Sequence, residues 1–87
     1  MKSGETESVP LTQEPVQITD GSVCAYIQPL AGDGRAVQYC FAGEKPSQSG
    51  SWHTIRHDVT IGPPLVCWLR VPEGRGVVVV TRWEPAV

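Results

Sequence analysis

A chain of 87 residues, 40% of them apolar, is one small domain's worth of polypeptide, and a domain near that size hides only about 60% of the surface its unfolded chain exposes. Disulfides, a metal or a partner subunit commonly supply the stability that so small a core lacks. Seven basic and nine acidic side chains leave a net charge of −2 with no basic run or stripe, which argues against nucleic-acid binding through phosphate neutralisation.

No stretch approaches the ~18 consecutive apolar residues that a membrane span needs. The opening MKSGETESVPLTQEP has no apolar segment of the signal-peptide kind, so the expectation is synthesis in the cytoplasm without the standard export route. Three cysteines, an odd number, argue against a closed disulfide framework.

Residues 1–14 are polar, carry the whole negative excess through Glu5, Glu7 and Glu14 against Lys2, and show no apolar periodicity. They read as a flexible N-terminal tail. From Pro15 to Val87 the signals are those of a single all-β domain, a small antiparallel β-sandwich or barrel of about seven short strands. Turn residues recur at Asp20-Gly21, Gly32-Asp33-Gly34, Gly43 to Gly50, Gly62-Pro63-Pro64 and Pro72 to Gly76. Between them lie segments rich in Val, Ile, Thr and aromatic residues and too short for stable helices. They predict strands near 15–19, 23–28, 36–42, 52–57, 59–61, 65–71 and 77–83.

Two hairpins follow from sequence adjacency. The first joins VCAYIQ to AVQYCF through GDG, and the second joins LVCWLRV to GVVVVTRW through Pro72 to Gly76. With Val71 opposite Val77, one face of the second hairpin carries Leu65, Cys67, Leu69, Val77, Val79, Thr81 and Trp83, and reads as the core. The other face carries Val66, Trp68, Arg70, Val78, Val80 and Arg82. A one-sided strand alternates apolar with polar residues, and the run VVVV at 77–80 does not. Either another layer of this chain or another subunit must therefore cover the second face; in so short a chain a subunit is favoured, and the face is read as an oligomer interface, with Arg82 against the ring of Trp68 as a cation–π pair.

Candidates for chemistry are few. His53 and His57 are four apart and stand beside Asp58, but HTIRH lacks the glutamate of HExxH and no CxxC accompanies it; no metal is expected. Cys24, Cys40 and Cys67 lie in apolar runs and read as reduced, buried thiols rather than nucleophiles. Trp52 and His53, after the SQSGS loop, form a possible ligand platform, since aromatic rings stack on sugars. No GxSxG, P-loop or GxGxxG is present, and no cofactor or enzymatic activity is expected.

The order of these segments is itself informative. ITDGSVCAYIQ at 18–28 is followed by AVQYCFAG, a polar loop ending in WHTI, IGPPLVCWLRV, and a closing Gly-Val-Val-Val-Val-Thr strand. This layout resembles small virion structural proteins of tailed bacteriophages, the β modules that decorate heads or build tails and spikes. The resemblance implies a self-assembling, non-enzymatic homo-oligomer whose partners are its own copies and other virion proteins, located in the virion. A carbohydrate-binding β-sandwich is the alternative.

Overall fold

The computed structural model describes residues 4–29, 36–47 and 50–85. The chain is all-β. Its strands are β1 (Thr6–Leu11), β2 (Val16–Gln17), β3 (Cys24–Pro29), β4 (Val37–Phe41), β5 (His53–Ile55), β6 (Val59–Ile61), β7 (Cys67–Arg70) and β8 (Gly76–Trp83). They form two antiparallel four-stranded sheets. The first has the order β1-β8-β3-β6 and the second β2-β7-β4-β5. Strands appear in all seven of the segments expected from the sequence, because Val, Ile and aromatic residues between closely spaced breakers suit a half-buried pleated surface.

Local breakers are placed as their chemistry requires. Gly21 has φ +93°, a region that side-chain-bearing residues rarely adopt. Asp20 closes the same turn by accepting hydrogen bonds from the Ser22 amide (2.9 Å) and hydroxyl (2.6 Å), an Asx-type arrangement. Gly76 has a different reason to be glycine. A Cβ there would meet Val71 Cγ1 at 2.8 Å, so the start of β8 can approach the second sheet only without a side chain.

Both hairpins expected from the sequence are replaced by sheet-to-sheet crossings. β3 lies in the first sheet and β4 in the second, while β7 lies in the second and β8 in the first. The Gly32-Asp33-Gly34 turn itself lies outside the described residues. Among the described residues, β4 and β5 alone are consecutive strands that pair directly, with Val37 opposite Ile55 and Tyr39 opposite His53. The physical reason is reach. Facing sheets stand about 10 Å apart, and the five residues between β7 and β8 span that gap as easily as they close a hairpin.

The N-terminal segment is a second correction. Thr6–Leu11 is not a tail but the edge strand β1, paired with β8 from Thr6↔Thr81 to Leu11↔Gly76. Its inward positions explain why. Leu11 is fully buried in the core, Val9 packs against that core, and the Glu7 carboxylate pairs with the Arg82 guanidinium. Two apolar residues and one half-buried ion pair offset the ordering entropy of a strand whose other positions are polar. The following loop is also tied down: Val71 donates to the Thr12 carbonyl at 3.0 Å, and Gln13 Nε2 to that of Gly74 at 3.2 Å.

The interior lies between the sheets. Ala25, Ile27, Ile61, Val78 and Val80 point inward from the first sheet, and Val37, Ile55, Cys67 and Leu69 from the second. Thr19 is buried with them but satisfied. Its hydroxyl donates to the Leu65 carbonyl and accepts from the Cys67 amide, each at 2.9 Å. Among the described residues no helix is long and apolar enough to cross a membrane.

Removal of residues 1–11 tests the role of β1. It takes away Leu11, the β1–β8 ladder and the carboxylate facing Arg82, and an uncompensated buried charge alone costs about 3–5 kcal/mol. The shortened chain is expected to lose its cooperative thermal transition or to melt far below the full chain. An unchanged melting temperature would refute the strand's contribution.

Candidate functional site

The six residues read as one oligomer interface do not form one face. Val78 and Val80 are completely buried between the sheets, and Arg82 is 8% exposed. Trp68 and Arg70 occupy the outward positions of β7 in the second sheet, with half-buried Val66 just before them. The inward phase of β7, Cys67-Leu69-Val71, agrees with the sequence reading, although Leu65, read as core with them, lies before the strand and is 40% exposed; the phase of β8 is reversed. Arg82 is why the reversal went unseen. A charged side chain argues for the outside, but here Nε donates to the Ile18 carbonyl at 2.7 Å while the guanidinium meets Glu7. Burial of a charge paired and hydrogen-bonded in this way is tolerable.

This phase turns Val77, Val79, Thr81 and Trp83 outward from β8. They are all half-buried rather than enclosed. Beside them on the same face stand Thr6, Ser8 and Pro10 of β1, Cys24, Tyr26 and Gln28 of β3, and Thr60 of β6, as the register requires. Thr6 and Thr81 share a hydrogen bond of 2.6 Å between hydroxyls. Tyr26 is 39% exposed, and its hydroxyl donates to the Asp58 carboxylate at the rim. That bond, together with burial and the carboxylate's charge, pushes the phenol above its ordinary pKa. The outward positions of all four strands are uncharged, and apolar groups run through their middle.

The opposite outer face has a different character. Arg70 lies over the Trp52 ring with Cζ 4.2 Å from its centroid, and its Nε donates to Gln38 Oε1 at 2.9 Å. The cation–π pair thus joins Arg70 to Trp52, not Arg82 to Trp68. Trp68 is pinned by its own Nε1 donating to the Ala42 carbonyl at 2.9 Å. The proposed ligand platform is divided by the strand period. Trp52 has Arg70 on its ring, while His53 turns toward Tyr39, centroids 5.1 Å apart. Tyr39 also meets Phe41 edge-on at 5.7 Å.

His57 is separated from His53 by β5 and the turn after it. It lines a shallow cleft with Gln28, Pro29, Arg56 and Asp58, where the β3–β6 pairing ends at Ile27↔Val59. Among the described residues no three His, Cys, Asp or Glu side chains gather as metal ligands would.

All three cysteines are free thiols. Cys24 and Cys40 do not face one another, because they lie in different sheets. Cys24 is half-buried on the outer face of the first sheet, across from Trp83. Burial pushes the Cys67 thiol up to about 12, with Cys40 adding to the shift. Cys40 is also raised by burial, partly opposed by Arg70. Thiolate is the reactive species, so in native protein at mildly alkaline pH a thiol reagent is expected to modify Cys24 first. Cys40 and Cys67 should follow only on denaturation. Peptide mapping that found Cys67 modified first would contradict this arrangement.

No protein-family model, curated protein or solved structure matches the chain.

Proposed function

We propose that the chain is a non-enzymatic assembly module, a β-sandwich that forms homo-oligomers and contacts other structural proteins, in keeping with the bacteriophage-virion layout of its sequence. The observation that supports this reading is the outer face of the first sheet. Val77, Val79 and Trp83 stand outward and half-buried on the central strand β8 beside Tyr26 of β3, among the uncharged side chains of Thr6, Ser8, Gln28, Thr60 and Thr81. Contiguous apolar surface of this kind marks contact sites for other macromolecules. Tyr and Trp are also the residues most enriched in the centres of protein interfaces. The interface expected from the sequence on the face of Val78, Val80 and Arg82 is given up, because the chain's own second sheet covers those residues; the face proposed in its place is the one holding Val79.

Neighbouring substitutions separate surface from core. Val80→Asp places an unpaired carboxylate between the sheets at a cost of several kcal/mol, and should unfold the domain. Val79→Asp, one residue away, should keep the β-rich circular dichroism and lower the mass in light scattering to that of a monomer. If Val79→Asp retains the mass and stability of the parent chain, this face is not an assembly surface.

A further inference from the structure

We propose that the cleft at the end of the β3–β6 pair binds a small zwitterion of the α-amino-acid class, with its carboxylate on Arg56 and its ammonium on Asp58. Arg56, His57 and Asp58 make up the whole connection between β5 and β6, and that connection carries the chain from the second sheet to the first. Both of its ends are fixed. Ile55 is buried in the core, and Val59 pairs with Ile27. Gln28 and Pro29, which follow Ile27 on β3, complete the lining. The cleft measures about 420 Å³, within the roughly 300–1,000 Å³ of small-molecule sites. A ligand here goes beyond the assembly reading and does not depend on it.

The charges in this cleft are the reason for a zwitterion. Asp58 accepts the Tyr26 hydroxyl through Oδ2, so its Oδ1 is open to a ligand. Arg56 stands two residues away with the opposite charge, yet among the described residues the two form no ion pair. Among those residues, the side chains of Gln28, Arg56 and His57 also spend no hydrogen bond elsewhere. A simple anion drawn to Arg56 is repelled by Asp58, and a simple cation meets the reverse. A neutral polyol leaves both charges partly desolvated without a counter-charge, which is costly. A ligand carrying both charges satisfies each. The guanidinium takes a carboxylate through two parallel N–H donors, and the Asp58 carboxylate accepts from an ammonium. The Gln28 amide and the neutral His57 ring, each able to donate and to accept, remain for the rest of the ligand.

Chemical-shift titration of the isotope-labelled full chain tests the site. L-alanine should shift the amides of Gln28, Arg56, His57 and Asp58 saturably. N-acetyl-alanine, which lacks the ammonium, and alaninamide, which lacks the carboxylate, should each bind at least about tenfold more weakly. Arg56→Gln should abolish the alanine response. Asp58→Asn should weaken it by about tenfold or more while strengthening N-acetyl-alanine, because the repelling charge is gone. Both side chains are exposed, so these variants should keep the dispersed spectrum of the parent. Methyl glucoside shifting the same amides as strongly as alanine would overturn the proposal and make the cleft a polyol site. Equal binding of alanine and its two blocked forms would also overturn it, since the two charges then do not act together. So would the absence of saturable shifts at about 50 mM alanine, a result that leaves Arg56 and Asp58 as solvated surface charges.

Discussion

The burial of Arg82 is the constraint on which the rest of the structure depends. Its guanidinium lies between the sheets, held by the Ile18 carbonyl and the Glu7 carboxylate. Because side chains alternate strictly along a strand, placing Arg82 inward also places Val80, Val78 and Gly76 inward, and sends Val77, Val79, Thr81 and Trp83 out. One side chain near the end of β8 therefore sets which residues of the longest strand are core and which are surface. Glu7 is about half exposed, so the attraction within the pair is partly screened. The larger consequence is the cost of leaving the guanidinium buried without an anion.

That constraint ties the two ends of the chain together. β1 supplies the carboxylate and β8 the guanidinium, while Leu11 closes the interior at the other end of the same ladder. The loop before β2 and the loop before β8 are joined by the Val71–Thr12 and Gln13–Gly74 hydrogen bonds. A domain this small gains much of its stability from such long-range contacts, because its core alone is marginal. With three free thiols, it does so without a disulfide.

The two outer faces divide the remaining aromatic residues between different tasks. On the second sheet, Trp52 and Trp68 spend their rings and N–H groups on Arg70, Ser47 and Ala42, which keeps that surface ordered and self-contained. On the first sheet, the outward strand positions around Tyr26 and Trp83 carry no charge, and the Asp58 carboxylate bonded to the Tyr26 hydroxyl lies at the rim. The difference supports assembly through the first face over ligand stacking on Trp52.

What the sequence by itself determined is the list of strands from β2 to β8, the all-β class, and the inward phase of β7. Each follows from local chemistry, namely closely spaced breakers, β-branched residues, and the clean alternation of Cys67, Leu69 and Val71 with Trp68 and Arg70. The phase of β8 was not legible, since 77–80 is valine at every position and both phases are apolar there. The charge of Arg82 then pointed outward, because its partner Glu7 stands 75 residues away in a segment that looks like a polar tail. Strand pairing was decided only by the tertiary structure. A connection as short as the five residues between β7 and β8 serves a hairpin or a crossing equally well, and what selects the crossing is burial of both sheets' inner faces against each other, a property of the whole chain rather than of any window in it.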